Sequence, residues 1–181
     1  MTAVDLSTWA QEAIEGEVIK CIKDQTYVLA CGTKSFTWLI LRGVFFTVHQ
    51  TEHNHAELAN TIWREGMLIH SFDENIMLPC YALTDGELLQ LPSDLFNAAV
   101  EKDADLSFAL AQHYHDQFKS TLENYRRNTL DPSDVRISDL EARFAAIPEL
   151  ENEHISDSVI AMFTGLHRVS VNRLRNKSKS K

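Results

Sequence analysis

The 181-residue chain contains no run of about 18 apolar residues, the length a helix needs to cross a bilayer, so no membrane partner is expected. Its opening stretch, "MTAVDLSTWAQEAIEGEV", lacks the basic flank and apolar core of a signal peptide, and a cytoplasmic location follows as the expectation. Cysteine is scarce: Cys21, Cys31 and Cys80 are odd in number, widely spaced and form no Cys-x-x-Cys pair. Neither a disulfide framework nor a cysteine-bound cluster is indicated, and the three read as small buried hydrophobes. There is no Gly-rich phosphate loop, no Gly-x-Ser-x-Gly and no His-Glu-x-x-His, so an enzyme is not expected. Lys and Arg are absent between Glu65 and Glu101. A phosphate buried there would find no cation to offset its desolvation.

What the chain does have is enough apolar material for a core, 44% of its residues, and a net charge of −9 that is unevenly placed. Arg168, Arg173, Arg175, Lys177, Lys179 and Lys181 close the chain with no acid among them, leaving the first 166 residues at −15. Only this end is suited to a polyanion; a solubilising tail is the plainer alternative for "NKSKSK".

The segments "VIKCIKD", "TYVLACG" and "TWLILRGVFFTVHQ" are rich in Val, Ile, Thr and aromatics and are broken by Asp24-Gln25, Gly32 and Gly43, which predicts a compact antiparallel sheet. "AELANTIW", "GMLIHSF", "NIMLPCYALT" and "GELLQLP" continue the pattern between turn signals, pointing to a β-sandwich or barrel. After Pro92 the period changes. Leu106, Leu110, Tyr114, Phe118, Leu122 and Tyr125 recur every three or four residues, predicting a long amphipathic helix whose stripe packs on the β-domain or, as in many such helices, on its twin in a homodimer. Asp131-Pro132-Ser133 ends it, and Pro148 separates "DVRISDLEARFAAI" from the last helices.

The closing stretch "ISDSVIAMFTGLHRVSVNRL" has the parts of a helix-turn-helix. Ala161 is the small contact, Gly165 supplies the positive φ of the turn, and Ile160, Leu166, Val171 and Leu174 are placed for a shared core. Ser156 or Asp157 caps the first helix and the second begins near His167. Its outer face then carries Arg168, Val169, Ser170, Asn172 and Arg173. Arg can grip a guanine edge, Asn an adenine edge, Ser is a modest donor, and a Val methyl can meet a thymine methyl. A helical hairpin with a charged face is the alternative.

With these residues the chain resembles the family of the cyclic-AMP receptor protein and the fumarate-nitrate reduction regulator (CRP/FNR), bacterial transcription regulators. The last stretch is similar to the family's recognition motif, "YVLACGTKSFTWLILRGVFFTV" to its β-roll strands with their "L-x-x-G" ending at Leu39 to Gly43, and "YALTDGELLQLPSDLF" to the passage from the roll into the dimer helix. The resemblance implies an α+β fold: a cyclic-nucleotide-binding-like β-roll over 1–92, a long dimerisation helix over 93–130, and a helical DNA-binding domain over 131–181 with a helix-turn-helix lacking a complete wing. It implies a homodimer on a palindromic operator in double-stranded DNA, with RNA polymerase as a further partner. Arg168, Val169 and Arg173 match the family's three base-contacting positions, with Val169 in place of a common acidic residue; His167, Ser170 and Asn172 complete the predicted DNA-binding set. The effector pocket is implied between roll and long helix, at Trp63, His70, Tyr81, His113 and Tyr114. Because no basic residue lies in 66–100, cyclic AMP is not expected and a small neutral effector is. No cofactor is expected; a metal or haem held by His49, His53 and His55 is the alternative, and His113 and His115 would point about 200° apart on a helix. A further alternative is a degenerate relative that dimerises or antagonises without binding DNA.

Overall fold

The computed structural model describes residues 8–9, 15–50, 57–71 and 73–179. The chain divides into two compact units, one of residues 1–47 with 61–119 and one of residues 48–60 with 120–181.

Eight strands build the sheet: β1 (Glu17–Cys21), β2 (Thr26–Cys31), β3 (Phe36–Arg42), β4 (Phe45–Gln50), β5 (Glu57–Trp63), β6 (Leu68–Ile69), β7 (Ile76–Ala82) and β8 (Gly86–Pro92). Their order is β1-β8-β3-β2-β7-β4-β5, with β6 paired to β3. The β1–β8, β3–β8, β2–β7, β4–β7 and β3–β6 ladders are antiparallel, as the short alternating strands lead one to expect. The sheet is nevertheless mixed, since β2 meets β3 in parallel at Cys31 and Phe36.

Strands β3 and β8 carry adjacent apolar residues, Trp38 to Leu41 and Leu88 with Leu89, because both of their faces are covered. Trp38, Ile40 and Leu88 point into one core with Cys21, Cys31, Phe45, Trp63 and Cys80. Leu39, Leu89 and Leu91, one residue out of phase, join a second core with Leu68, Phe96, Leu106 and Leu110. Period-2 alternation thus sends neighbouring residues to two different cores. Gly43, at φ 93°, closes the β3–β4 turn against the Gly86 backbone: a Cβ there would lie 2.8 Å from the Gly86 Cα, so no side chain fits.

Helix α1 (Ser93–Lys102) is followed by the long α2 (Ala104–Leu130). The single helix expected after Pro92 is therefore two. Asp103 is extended, and its carboxylate accepts from the backbone N–H of Asp105 at 2.9 Å and of Leu106 at 3.1 Å, an N-cap that restarts the chain as α2.

In the second unit, α3 (Ser133–Ala145) buries Ile137, Leu140 and Phe144, and a 3-10 turn at Pro148–Leu150 leads to α4 (Asp157–Thr164) and α5 (Arg168–Lys179). Phe144 meets Phe163 edge-on at 5.5 Å, and Ile160 and Val171 are fully buried beside them. No helix among the described residues is long and apolar enough to cross a membrane.

Candidate nucleic-acid interface and sensor site

Helices α4 and α5 form a tight pair. Ser156 caps α4, its hydroxyl accepting from the Val159 N–H at 3.3 Å, and Gly165 ends it in the left-handed conformation at φ 66°. Glycine reaches that φ without a Cβ penalty, so the chain can turn over three residues, Gly165 to His167, into α5. Ile160 and Val171 are wholly buried between the helices, while Leu166 and Leu174 are half-buried.

Of the residues predicted to meet DNA, His167, Arg168, Val169, Asn172 and Arg173 are exposed, with Val169 at 80%, and Ser170 is half-buried. At 100° per residue, Arg168, Asn172, Asn176, Val169 and Arg173 spread over one side of α5. They are not equally available. The Asn172 amide donates to Asp157 Oδ2 at 2.8 Å and its oxygen accepts from the Asn176 amide at 3.1 Å. Asp157 also accepts from Arg175 Nη1 at 2.7 Å, and Arg175 reaches Glu141 through Nε at 2.8 Å and the Ile155 carbonyl at 3.1 Å. These bonds, first that from Asn172 and then that from Arg175, hold the Asp157 carboxyl below its ordinary pKa, and Arg168 adds to the effect through its charge.

A second brace lies at the other end of α4. Arg136 Nη1 donates to the carbonyls of Asn128 at 2.9 Å and Thr164 at 2.8 Å, the last turns of α2 and α4, and Nη2 donates to Ser133 Oγ at 3.2 Å. A guanidinium placed where two helices leave carbonyls unpaired satisfies both and opposes both negative helix ends. Asn128 donates to the Phe163 carbonyl at 2.8 Å, and Arg127 pairs with Asp139 at 2.7 Å.

In the first unit, His70 lies half-buried beside the Phe96 ring at 5.4 Å and the Tyr114 ring at 6.3 Å. Its Nδ1 is 2.7 Å from Thr37 Oγ1, which lies 3.0 Å from Ser93 Oγ, so three neutral side chains form a chain of hydrogen bonds. Burial pushes the His70 pKa down to about 4, and it lowers that of His113 against the opposing pull of the Leu68 carbonyl and Asp116. His113 and Gln117 both address the Leu68 carbonyl, at 3.0 and 3.1 Å, and contact each other. Burial raises the Tyr114 hydroxyl well above its usual range, which keeps it protonated.

No family model matches the chain, and no curated protein does. Solved structures do. The c-di-GMP-responsive global regulator CLP of Xanthomonas campestris superposes at a TM-score of 0.74 with 13% identity, over 91% of this chain and 87% of that one. FixK2 of Bradyrhizobium japonicum gives 0.73 with 11% identity over 92% and 86%, and the CRP/FNR-family regulator TTHA1359 of Thermus thermophilus gives 0.70 with 17% over 89% and 84%. The chain has the fold of the CRP/FNR transcriptional regulators.

Within this CRP/FNR fold the five residues expected to line an effector pocket do not all meet. His70, His113 and Tyr114 share one region, joined by Thr37, Ser93 and Gln117, which sequence reasoning missed because their polarity looks ordinary outside its setting. Trp63 is buried in the other core and donates to Thr47 Oγ1 at 3.0 Å. Tyr81 stacks on Phe46 at 5.0 Å. The six-residue stripe expected to form a dimer interface also divides. Leu106, Leu110 and Tyr114 pack into the chain's own second core, whereas Phe118, Leu122 and Tyr125 are exposed at 68%, 54% and 68%, with Phe108, not singled out from sequence, at 57%. His115 is exposed and His113 half-buried, as their spacing requires. His49 is exposed; His53 and His55 lie outside the described residues. The described residues contain no group of His, Cys, Asp or Glu arranged to hold a metal ion.

Proposed function

We propose that this chain is a homodimeric transcription regulator that reads a palindromic operator with α5. The observation that carries the proposal is a pair of helices, α4 and α5, turned at Gly165, whose second helix offers Arg168, Val169 and Arg173 to solvent at the positively charged end of an acidic chain. Arg168 and Arg173 are the guanine readers and Val169 the thymine-methyl contact. The exposed Phe108, Phe118, Leu122 and Tyr125 on α2 are an apolar surface suited to a second copy of the same helix.

The sensor region supports an uncharged effector. His70 stays neutral above about pH 4, Thr37 and Ser93 bear no charge, and Lys and Arg are absent from 66 to 100, so the surroundings of His70 are matched to a small neutral ligand.

Selection from random duplex DNA, repeated at higher salt, tests this reading. Enrichment of a palindrome with half-sites about one helical turn apart is expected. Replacing Arg168 and Arg173 together by Ala is expected to abolish that preference; retention of the same operator by the double variant defeats the assignment. Binding without preference that salt removes would leave only an electrostatic tail.

A further inference from the structure

Asparagine reads adenine by presenting both ends of its amide at once, the nitrogen to N7 and the oxygen to the N6 amino group. Neither end of the Asn172 amide is idle: the nitrogen donates to Asp157 and the oxygen accepts from Asn176. An ionised carboxylate only accepts, which fixes the orientation of the Asn172 amide and, through it, that of Asn176. Asp157 is itself anchored. Arg175, whose side chain is 17% exposed, grips Asp157 Oδ1 while holding Glu141 of α3 and the Ile155 carbonyl, so the carboxylate has little freedom to turn away. Asp157, Asn172, Arg175, Asn176 and Arg168 line one polar cleft of about 300 Å³ between the start of α4 and the side of α5.

We propose that Asp157 sets the specificity of this DNA-reading helix by holding the Asn172 amide off the bases, so that recognition rests on Arg168, Val169 and Arg173. The inference rests on the DNA-reading role proposed above and adds to it a residue outside the recognition helix. Asp157 acts as a positioning residue: it touches no base, and it decides which side chain of α5 can. Its negative charge, beside Arg168, also opposes the approach of a phosphate to the first turn of α4.

The test is duplex selection by four versions of the full chain: wild type, N172A, D157A and the D157A/N172A double variant. N172A is expected to select the wild-type motif, because a side chain held off the bases has no preference to lose. D157A is expected to acquire about a tenfold preference for adenine at one position of each half-site, the scale of one bidentate pair, and the double variant to lose it again. A changed motif with N172A alone, or a D157A motif identical to the wild type's, overturns the proposal and leaves the DNA-reading role standing. Absence of any enriched motif with wild type removes that role and the proposal with it. Arg175 also leans on Asp157, so Asp157→Ser replaces D157A where far-UV circular dichroism shows D157A unfolded; N172A leaves all three Arg175 contacts in place and is decisive on its own if it alters the motif.

Discussion

Thr37, Ser93 and His70 meet in the first unit without a charge among them, whereas in the second Arg136, Arg143 and Arg175 are drawn in to hold carbonyls, an amide oxygen and carboxylates. Among the described residues, Lys34 pairs with Glu74 and Arg42 with Glu87 in the first unit through largely exposed Lys and Arg side chains, while in the second ion pairs link α2 to α3, α3 to α5 and α4 to α5. Exposed pairs contribute about 0–1 kcal/mol and are screened by salt, while charge-assisted bonds that are partly shielded fix geometry more than they add stability. A polar cluster built from neutral groups is indifferent to salt. A helix pair braced by guanidinium groups is oriented closely and responds to anything that competes for those groups.

Two core-level substitutions separate the units. Leu106 is fully buried in the second core of the β-roll unit, so Leu106→Ala should cost about 2–5 kcal/mol in urea unfolding, with little dependence on salt. All three tryptophans, Trp9, Trp38 and Trp63, lie in the first unit, so fluorescence follows it alone. Arg136→Met should cost about 1–3 kcal/mol, because two helix-end carbonyls lose a charged donor, and should appear in helical circular dichroism while the tryptophan transition stays in place. A fluorescence transition that moves equally with Arg136→Met would break the contrast, showing that the two units unfold as one.

The contrast was only partly legible in the sequence. The strands, the turn glycines and the α4–α5 pair each leave a local signature in residue type and spacing, and the structure follows them closely. The break at Asp103 was not read: the cap is made by its carboxylate to the N–H groups of Asp105 and Leu106, and a lone Asp between two helical stretches does not by itself show that the chain is extended there. The braces were not legible either. Arg136 is bound mainly to backbone carbonyls of Asn128 and Thr164, 8 and 28 residues away, and a carbonyl carries no side-chain signature. The same limit applies to Asn172, whose type promises an adenine contact while its position places Asp157, 15 residues back, across its amide. The α2 stripe was legible as a period but not as two partners: Leu106 and Leu110 differ from Phe118 and Leu122 by a rotation of about 120° that a three-or-four count absorbs.

Acid sharpens the comparison in a direction that can be worked out. The unfolded chain protonates His70 as the pH falls through about 6.5, the folded unit only near 4, so between these values the unfolded state binds the extra proton. The stability of the first unit is therefore complete above pH 6.5 and declines as the pH falls to 4. His113 is shifted the same way, so H70Q should flatten the decline in the fluorescence midpoint without removing it. Asp157, held below its ordinary pKa of 3.8, has the same kind of window at lower pH: its contribution to the second unit is intact above that value and is lost only as the pH falls beneath it. At pH 5 the first unit should thus be weakened and the second unaffected. A circular-dichroism transition that falls in step with fluorescence between pH 6.5 and 4 would show that the two units unfold as one.

The smallest effect on stability belongs to an exposed apolar residue among the predicted base contacts. Val169 is 80% exposed on α5 and has little packing to lose, so Val169→Ala should change the unfolding free energy by less than about 0.5 kcal/mol. If its methyl groups meet a thymine, the same change should reduce the preference for thymine at one position of each half-site while leaving affinity for unrelated duplexes as it was. Stability and recognition are then carried by different side chains of one helix, Val171 inward and Val169 outward. Duplex selection with V169A that returns the wild-type motif would assign the outer face of α5 to its two arginines alone.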